Sequence, residues 1–445
     1  MRLLIQLRPA ADVVAAVADP GVTVRSSDIL DAAGGFVLDD AYAPIMVPAV
    51  GPVAAENDRP SYSSAAEDAS VLVRGEIPDD DIVAGIRELQ RSRSVTGVFA
   101  DPVIETTLTC GGDPAVGTWQ DIESRLNVDQ LTAAGLTGTG VALAIVDTGI
   151  NAAFVGKVRG TAPIIDAERS WNPAGVTGTA GQFPVAHGSM CAFDTMIAAP
   201  QASLLDIPVL QSTRQGSTVM DGLLSDAVAA YAQLRTVLSD QPEATRALVI
   251  SNSWGAFSPQ WDFPVGNPGN YSDNPSHPFN VIVGSLEAAG ADIVFAAGNC
   301  GRDCPDERCA YTSQPIGGAN SSPSVLCIGG VDDTGTRVGY SSQGPGRLSA
   351  NKPDICSYTH FLGSTAFGAG EPDTGTSAAC PVAAGVVAAI RTRWSATALP
   401  PAQLRALLRS TATRRGSADF DNDYGYGVVN TAALLTALQQ TADRA

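Results

Sequence analysis

Hydrophobic and polar positions alternate in two textures along the chain. In the first, residues 2–7 predict a strand, 10–18 a short helix and 22–25 a further extended piece, together the size of one βαβ unit. A stretch containing proline, serine and acids, 40–70, predicts an insertion or mobile loop before a strand at 71–74. Pro78 and three successive aspartates then mark a helix start, Ile82, Ile86 and Leu89 its apolar face, and 95–100 a closing strand. Two such units predict a small α+β domain over about residues 1–105, with a Thr/Gly-rich connector from Glu105 to Gly112.

Beyond Trp119 the texture changes to short continuous apolar runs separated by helix-length intervals. Runs at 141–146, 204–208, 247–251, 292–296 and 325–328 read as strands buried on both faces, and 222–238, 281–289 and 378–393 as helices between them. This is the pattern of α/β architecture with a parallel sheet. The expected division is 1–112 and 113–445.

Composition narrows the class. Apolar residues are 44% of the 445 and charged residues 16%, enough for a large core and too little charge for a solvated chain. The net charge of −19 argues against a general nucleic-acid binder, and the apolar runs fall well short of a membrane span. Residues 3–7 are too short for a secretory h-region, so the literal sequence predicts a cytoplasmic protein, with an extracellular one as the alternative. Cys191, Cys327, Cys356 and Cys380 sit singly among small or apolar neighbours as core thiols, whereas Cys300, Cys304 and Cys309 share a polar loop open to a disulfide, a metal or free thiols.

Candidate chemistry sits where these elements end. Asp147 closes the apolar run 141–146 before Thr148-Gly149, as a turn-capping acid or a functional carboxylate. His187, one of three histidines, opens a small-residue stretch and is the natural general base. Asn299 ends the run Ile293–Gly298, either as a turn former or as an amide donor to an oxyanion. Ser377 opens a long small-residue helix; Pro381, expected in its first turn, pins that start and puts the Ser377 N–H at the positive end of the dipole.

The order Asp147, His187, Asn299, Ser377, with Asn252-Ser253-Trp254-Gly255, Tyr340-Ser341-Ser342-Gln343-Gly344-Pro345 and Tyr424-Gly425-Tyr426-Gly427, resembles the subtilisin-like serine peptidases over about residues 115–435. The resemblance implies a subtilisin-like three-layer domain with a mainly parallel sheet, preceded by a small propeptide-like α+β domain. It implies a serine endopeptidase: Asp147, His187 and Ser377 as the triad, Asn299 in the oxyanion hole, Ser253 and Gly255 pairing with an extended substrate, and Trp254 walling a substrate pocket. Two departures stand beside it, Ser189-Met190 where the family usually has a second histidine, and Ala378-Ala379-Cys380 where Met-Ala-Ser is usual.

The implied partners are a peptide or protein substrate and the chain's own N-terminal region as inhibitor, with no nucleic acid and no membrane. No cofactor is required for the chemistry and no metal ligand is assigned. Structural calcium is carried as an expectation; Asp419, Asp421 and Asp423 alternate as in a calcium loop but lack its glycine and final glutamate. The alternatives are a dedicated processing peptidase or a catalytically silent peptide-binding module. An aspartic peptidase, suggested by Asp-Thr-Gly at 147, 333 and 373, conflicts with the Ala-rich helices.

Overall fold

The computed structural model describes all residues except 20, 31–34, 55–58, 64, 66–67, 107–108, 110–112, 212–219, 312 and 443–445. The N-terminal strands are β1 (Arg2–Leu7), β2 (Val37–Leu38), β3 (Ile45–Val47), β4 (Ala49–Ala54), β5 (Arg59–Ser63), β6 (Ser70–Glu76) and β7 (Val95–Ala100). β1 is central and pairs antiparallel with both β6 and β7, so the expected βαβ units are not parallel units; helices Ala11–Ala18 and Ile82–Leu89 serve as crossovers within an antiparallel sheet. Residues 22–25 form no strand, and the expected loop 40–70 instead contains β3 and the β4–β5 hairpin. The three-residue alternation of Ile45, Met46 and Val47 is short for a sequence signal, yet it buries Ile45 and Val47.

A short strand β8 (Val103–Glu105) leads toward the second layer system, built on β9 (Ala142–Val146), β10 (Ile164–Ile165), β11 (Ser203–Ile207), β12 (Asp221–Leu223), β13 (Leu248–Asn252), β14 (Ala291–Ala296), β15 (Leu326–Val331) and β16 (Ile355–Tyr358). Seven of these form one sheet in the order β10-β11-β9-β13-β14-β15-β16, with every pairing parallel. Strand alternation explains why its runs are continuously apolar. Leu143, Ile145 and Val249 enter the core under helices His187–Thr195 and Thr376–Arg391, while Ala144, Val146 and Ile250 enter the opposite core under Leu224–Ser239 and Pro278–Ala288. The result is the expected three-layer α/β fold.

The N-terminal sheet packs on the second of these helical layers, contributing Leu4, Leu72 and Phe99 to its core. Polar contacts fix the seam: Arg74 donates to Ser225 Oγ and to Asp226, each at 2.9 Å, and Asp101 accepts from the Ser225 N–H and hydroxyl at 2.7 and 2.8 Å. His277 is fully buried there, its Nε2 3.0 Å from the Ala100 carbonyl and its Nδ1 accepting from the Phe279 N–H. Burial pushes this imidazole down to about 4. Because the folded value lies below the unfolded one, its stabilising contribution is complete above about pH 6.5 and is lost as pH falls through about 4. NMR should show His277 still neutral at pH 5; titration near 6.5 would contradict this environment.

Candidate active site

The carboxyl edge of a parallel sheet gathers what its strands deliver. Asp147 follows β9 directly, keeps the ladder through its N–H to the Ile207 carbonyl at 3.0 Å, and is 1% exposed. Its Oδ1 accepts from the Thr148 N–H at 2.7 Å, and Thr148 Oγ1 in turn accepts from the Gly188 N–H at 2.8 Å. Asp-Thr-Gly and His-Gly are thus clamped together. A Cβ on Gly188 would lie 2.5 Å from the Gly149 carbonyl oxygen, so the close approach requires glycine there. His187 Nδ1 lies 2.9 and 3.0 Å from the two Asp147 oxygens. With that nitrogen as donor, Nε2 is the acceptor needed for a general base.

Ser377 is the second residue of helix Thr376–Arg391, and its N–H is among the donors that an α-helix leaves without intrahelical partners. Pro381 stands further inside this helix than the first turn expected for it. The geometry gives the reason for its tolerance. Lacking an N–H, Pro381 leaves the Ser377 carbonyl without its usual intrahelical donor, and that carbonyl accepts from Ser253 Oγ at 3.0 Å and Cys191 Sγ at 3.6 Å. Cys191 Sγ also lies 3.6 Å from His187 Nδ1 and from Asp147 Oδ2. The Ser377 hydroxyl is 3.5 Å from the Ser253 carbonyl oxygen. Asp147, His187 and Ser377 therefore converge on the buried thiol of Cys191, a role its sequence context did not reveal. Burial raises that thiol far above its ordinary range, with the Asp147 charge adding to the effect, so it is held as an uncharged spacer.

Asn299 lies just beyond β14. Its Oδ1 accepts from the Thr376 N–H at 2.8 Å and the Thr376 hydroxyl at 3.0 Å, which turns Nδ2 toward Gly375. A Cβ on Gly375, where φ is +79°, would stand 2.8 Å from Asn299 Nδ2 and 3.4 Å from the Ser377 nitrogen. The two donors consequently flank the one position without a side chain. Ser342 braces this strand end, its hydroxyl accepting from the Cys300 N–H at 3.0 Å.

The Ser253–Gly255 segment runs past Ser377 along the same edge. Trp254 is buried: its indole packs on Phe279 and Phe295, and its Nε1 donates to the Val146 carbonyl at 3.0 Å, beside Asp147. Trp254 and Ser253 also line a small cavity with Gly255, Cys300, Pro315 and Ser377. Asn320, absent from the sequence reading, ties this segment to β14 by donating to the carbonyls of Trp254 and Ala296 at 2.8 and 2.9 Å. Between Gly255 and β12 lies β8: it pairs antiparallel with β12, and Glu105 and Gly255 exchange two N–H···O bonds of 3.1 Å. Within the connector expected from Glu105 to Gly112, residues 107–108 and 110–112 lie outside the described residues.

Cys300 and Cys309 form a disulfide, and Cys304 is also disulfide-bonded, while the four singly placed cysteines are buried free thiols. Asp419 pairs with Arg414, Asp421 accepts from the N–H groups of Asp423 and Tyr424, and Asp423 accepts from Arg302 and Gln343. The three acids are directed to separate partners.

The family model describing subtilases matches residues 138–427, most of the chain, and includes Asp147, His187, Asn299 and Ser377. The chain belongs to the subtilase family. Subtilases are serine peptidases, acting on peptides or proteins, and this subtilase is similar to subtilisin E of Bacillus subtilis strain 168, 26% identical over 319 residues spanning 70% of this chain and 69% of the relative. It is also similar to subtilisin Savinase of Lederbergia lenta, 28% identical over 317 residues spanning 70% and 96% of the two chains. The crystal structure of MycP1 from the ESX-1 type VII secretion system aligns with a TM-score of 0.49 and 20% identity, covering 76% of this chain and 90% of that one. No described helix of this subtilase is long and apolar enough to cross a membrane.

Proposed function

We propose that this subtilase is a serine endopeptidase in which His187 takes the Ser377 proton, Asp147 orients and stabilises the imidazolium, and Ser377 attacks a peptide carbonyl to form an acyl-enzyme. The observation that carries the reading is the buried His187–Asp147 contact of 2.9 Å at the sheet edge, with Ser377 bound to the same Cys191 thiol. The developing oxyanion is held by Asn299 Nδ2 and the Ser377 N–H, and water resolves the intermediate. Hydrolysis of a denatured protein should be abolished by serine-directed reagents and untouched by pepstatin. Persistence of activity after serine modification would overturn the reading.

Residues 113–445 are proposed as the catalytic domain and 1–112 as a propeptide-like domain. Support comes from β8, which fills the groove between β12 and Gly255 where an extended substrate would pair. Tethering gives such a strand a high effective concentration. Intact mass followed over time should show wild type losing this region while Ser377→Ala stays full length, and the separate N-terminal fragment should inhibit the processed enzyme. A full-length wild type that is fully active and indifferent to the fragment would identify a permanent accessory domain instead. The disulfide-bonded cysteines favour an oxidising compartment, and thus the extracellular alternative over the cytoplasmic one.

Asn299→Ala should lower kcat by about 10²–10³ with little change in KM, since its donor serves mainly the transition state. Steady-state kinetics on one peptide checks this; a near-normal kcat would remove Asn299 from the oxyanion hole.

A further inference from the structure

The residue that meets Gly255 across the groove carries a charge, and the groove answers it. Glu105 is buried although it lies in a strand between two edges, and its Oε2 accepts from Arg308 Nη1 at 2.6 Å. Arg308 Nη2 reaches the next carbonyl, that of Thr106, at 3.2 Å. The arginine is prearranged for this. Asp306 accepts from its Nε at 3.0 Å, its Nη2 at 2.7 Å and its backbone N–H at 2.8 Å, and the guanidinium lies over the Phe257 ring at 5.2 Å.

The loop carrying Arg308 is closed on itself by the Cys300–Cys309 disulfide and docked on the oxyanion strand by the Asp306 N–H, which donates to the Asn299 carbonyl at 3.1 Å. Arg308 is therefore held at a fixed distance from the proposed reaction centre by covalent and hydrogen-bonded links. Three charges face the Glu105 carboxylate: Arg308, Asp221 and Asp306, with Arg308 the strongest influence and opposite in sign to the other two.

Register gives the position its meaning. In the antiparallel pairing Glu105 stands opposite Gly255, so a bound chain places the residue two positions further on opposite Ser253. The Ser253 carbonyl is the group 3.5 Å from the Ser377 hydroxyl. The residue opposite Ser253 thus presents its carbonyl to Ser377, and the residue opposite Gly255 lies two positions before it.

Resting on the peptidase reading above, we propose that Arg308 makes this subtilase selective for substrates with an acidic residue two positions before the residue whose carbonyl is attacked. The β8 strand satisfies that preference with Glu105. A neutral residue forfeits the charge-assisted bond, and a lysine meets the guanidinium directly.

The test uses the full chain and quenched fluorogenic peptides identical except for Glu, Gln or Lys at that position, with fluorophosphonate labelling run in parallel. Glu should exceed Gln by about tenfold in kcat/KM and Lys by more. Arg308→Gln should level Glu and Gln, and Arg308→Glu should favour Lys. A labelled enzyme that cuts all three peptides equally, keeps its preference in Arg308→Gln, or cuts none of them overturns the proposal.

Absence of both labelling and cleavage defeats the peptidase reading instead, and a second measurement then decides the recognition. In Ser377→Ala protein, Glu105→Lys should increase amide exchange at residues 104–106, and adding Arg308→Glu should restore protection. Unchanged protection in Glu105→Lys, or no restoration in the double variant, overturns recognition by Arg308.

Discussion

Ser377→Ala should lower kcat by about 10⁶, the scale on which removal of the nucleophile acts in another serine peptidase, while leaving the fold intact. The structural cost is small because, among the described residues, the hydroxyl has only a 3.5 Å contact with the Ser253 carbonyl, whereas the contacts that build the site run through the Ser377 backbone. Its carbonyl would still accept from Ser253 Oγ and Cys191 Sγ. The helix start would keep Thr376 on Asn299. Circular dichroism and the thermal transition should match wild type, and peptide turnover should vanish into the background. Loss of only tenfold would mean that another group performs the attack.

Asp147→Asn should lower kcat by about 10⁴, the magnitude for the equivalent change in another serine peptidase. The carboxylate accepts from His187 Nδ1 through either oxygen and from the Thr148 N–H through Oδ1. An asparagine keeps the Thr148 bond with its carbonyl oxygen and then presents its amide N–H groups to Nδ1. Nδ1 must become the acceptor, the proton moves to Nε2, and the acceptor that a general base needs is lost. The change is nearly isosteric in a fully buried place, so His187 stays in position and the loss is one of tautomer. Parallel kinetics and stability measurements separate the two: a variant that folds with wild-type stability and retains more than a hundredth of kcat would refute this role for Asp147.

The sequence carried the buried strands because a strand covered on both faces has no polar interruption, and β9, β13 and β14 appear within one residue of their apolar runs. It carried Asp147 and Asn299 because they end such runs, and His187 and Ser377 because both open small-residue helices; the fold brings these elements to one edge. Short edge elements left weaker signals. β12 is a three-residue strand whose Gly222 has a Val209 oxygen against the space of a Cβ, and its pairing with β8 comes entirely from tertiary placement.

Antiparallel order in the N-terminal sheet was equally hidden, since a strand-helix-strand pattern does not state which neighbour a strand will choose. Trp254 illustrates a different limit. Its indole packs on Phe279 and Phe295 and donates to the Val146 carbonyl, a placement that depends on core space supplied by distant elements. Arg308 shows the same dependence on folding, because its partner lies 203 residues away.

The central claim is that Ser377 is the activated nucleophile, and labelling with a fluorophosphonate followed by peptide mapping tests it most directly. One adduct on Ser377, formed by wild type and lost in both His187→Ala and denatured protein, is the predicted result. Modification at another residue, or none in folded protein freed of its N-terminal region, would contradict the account.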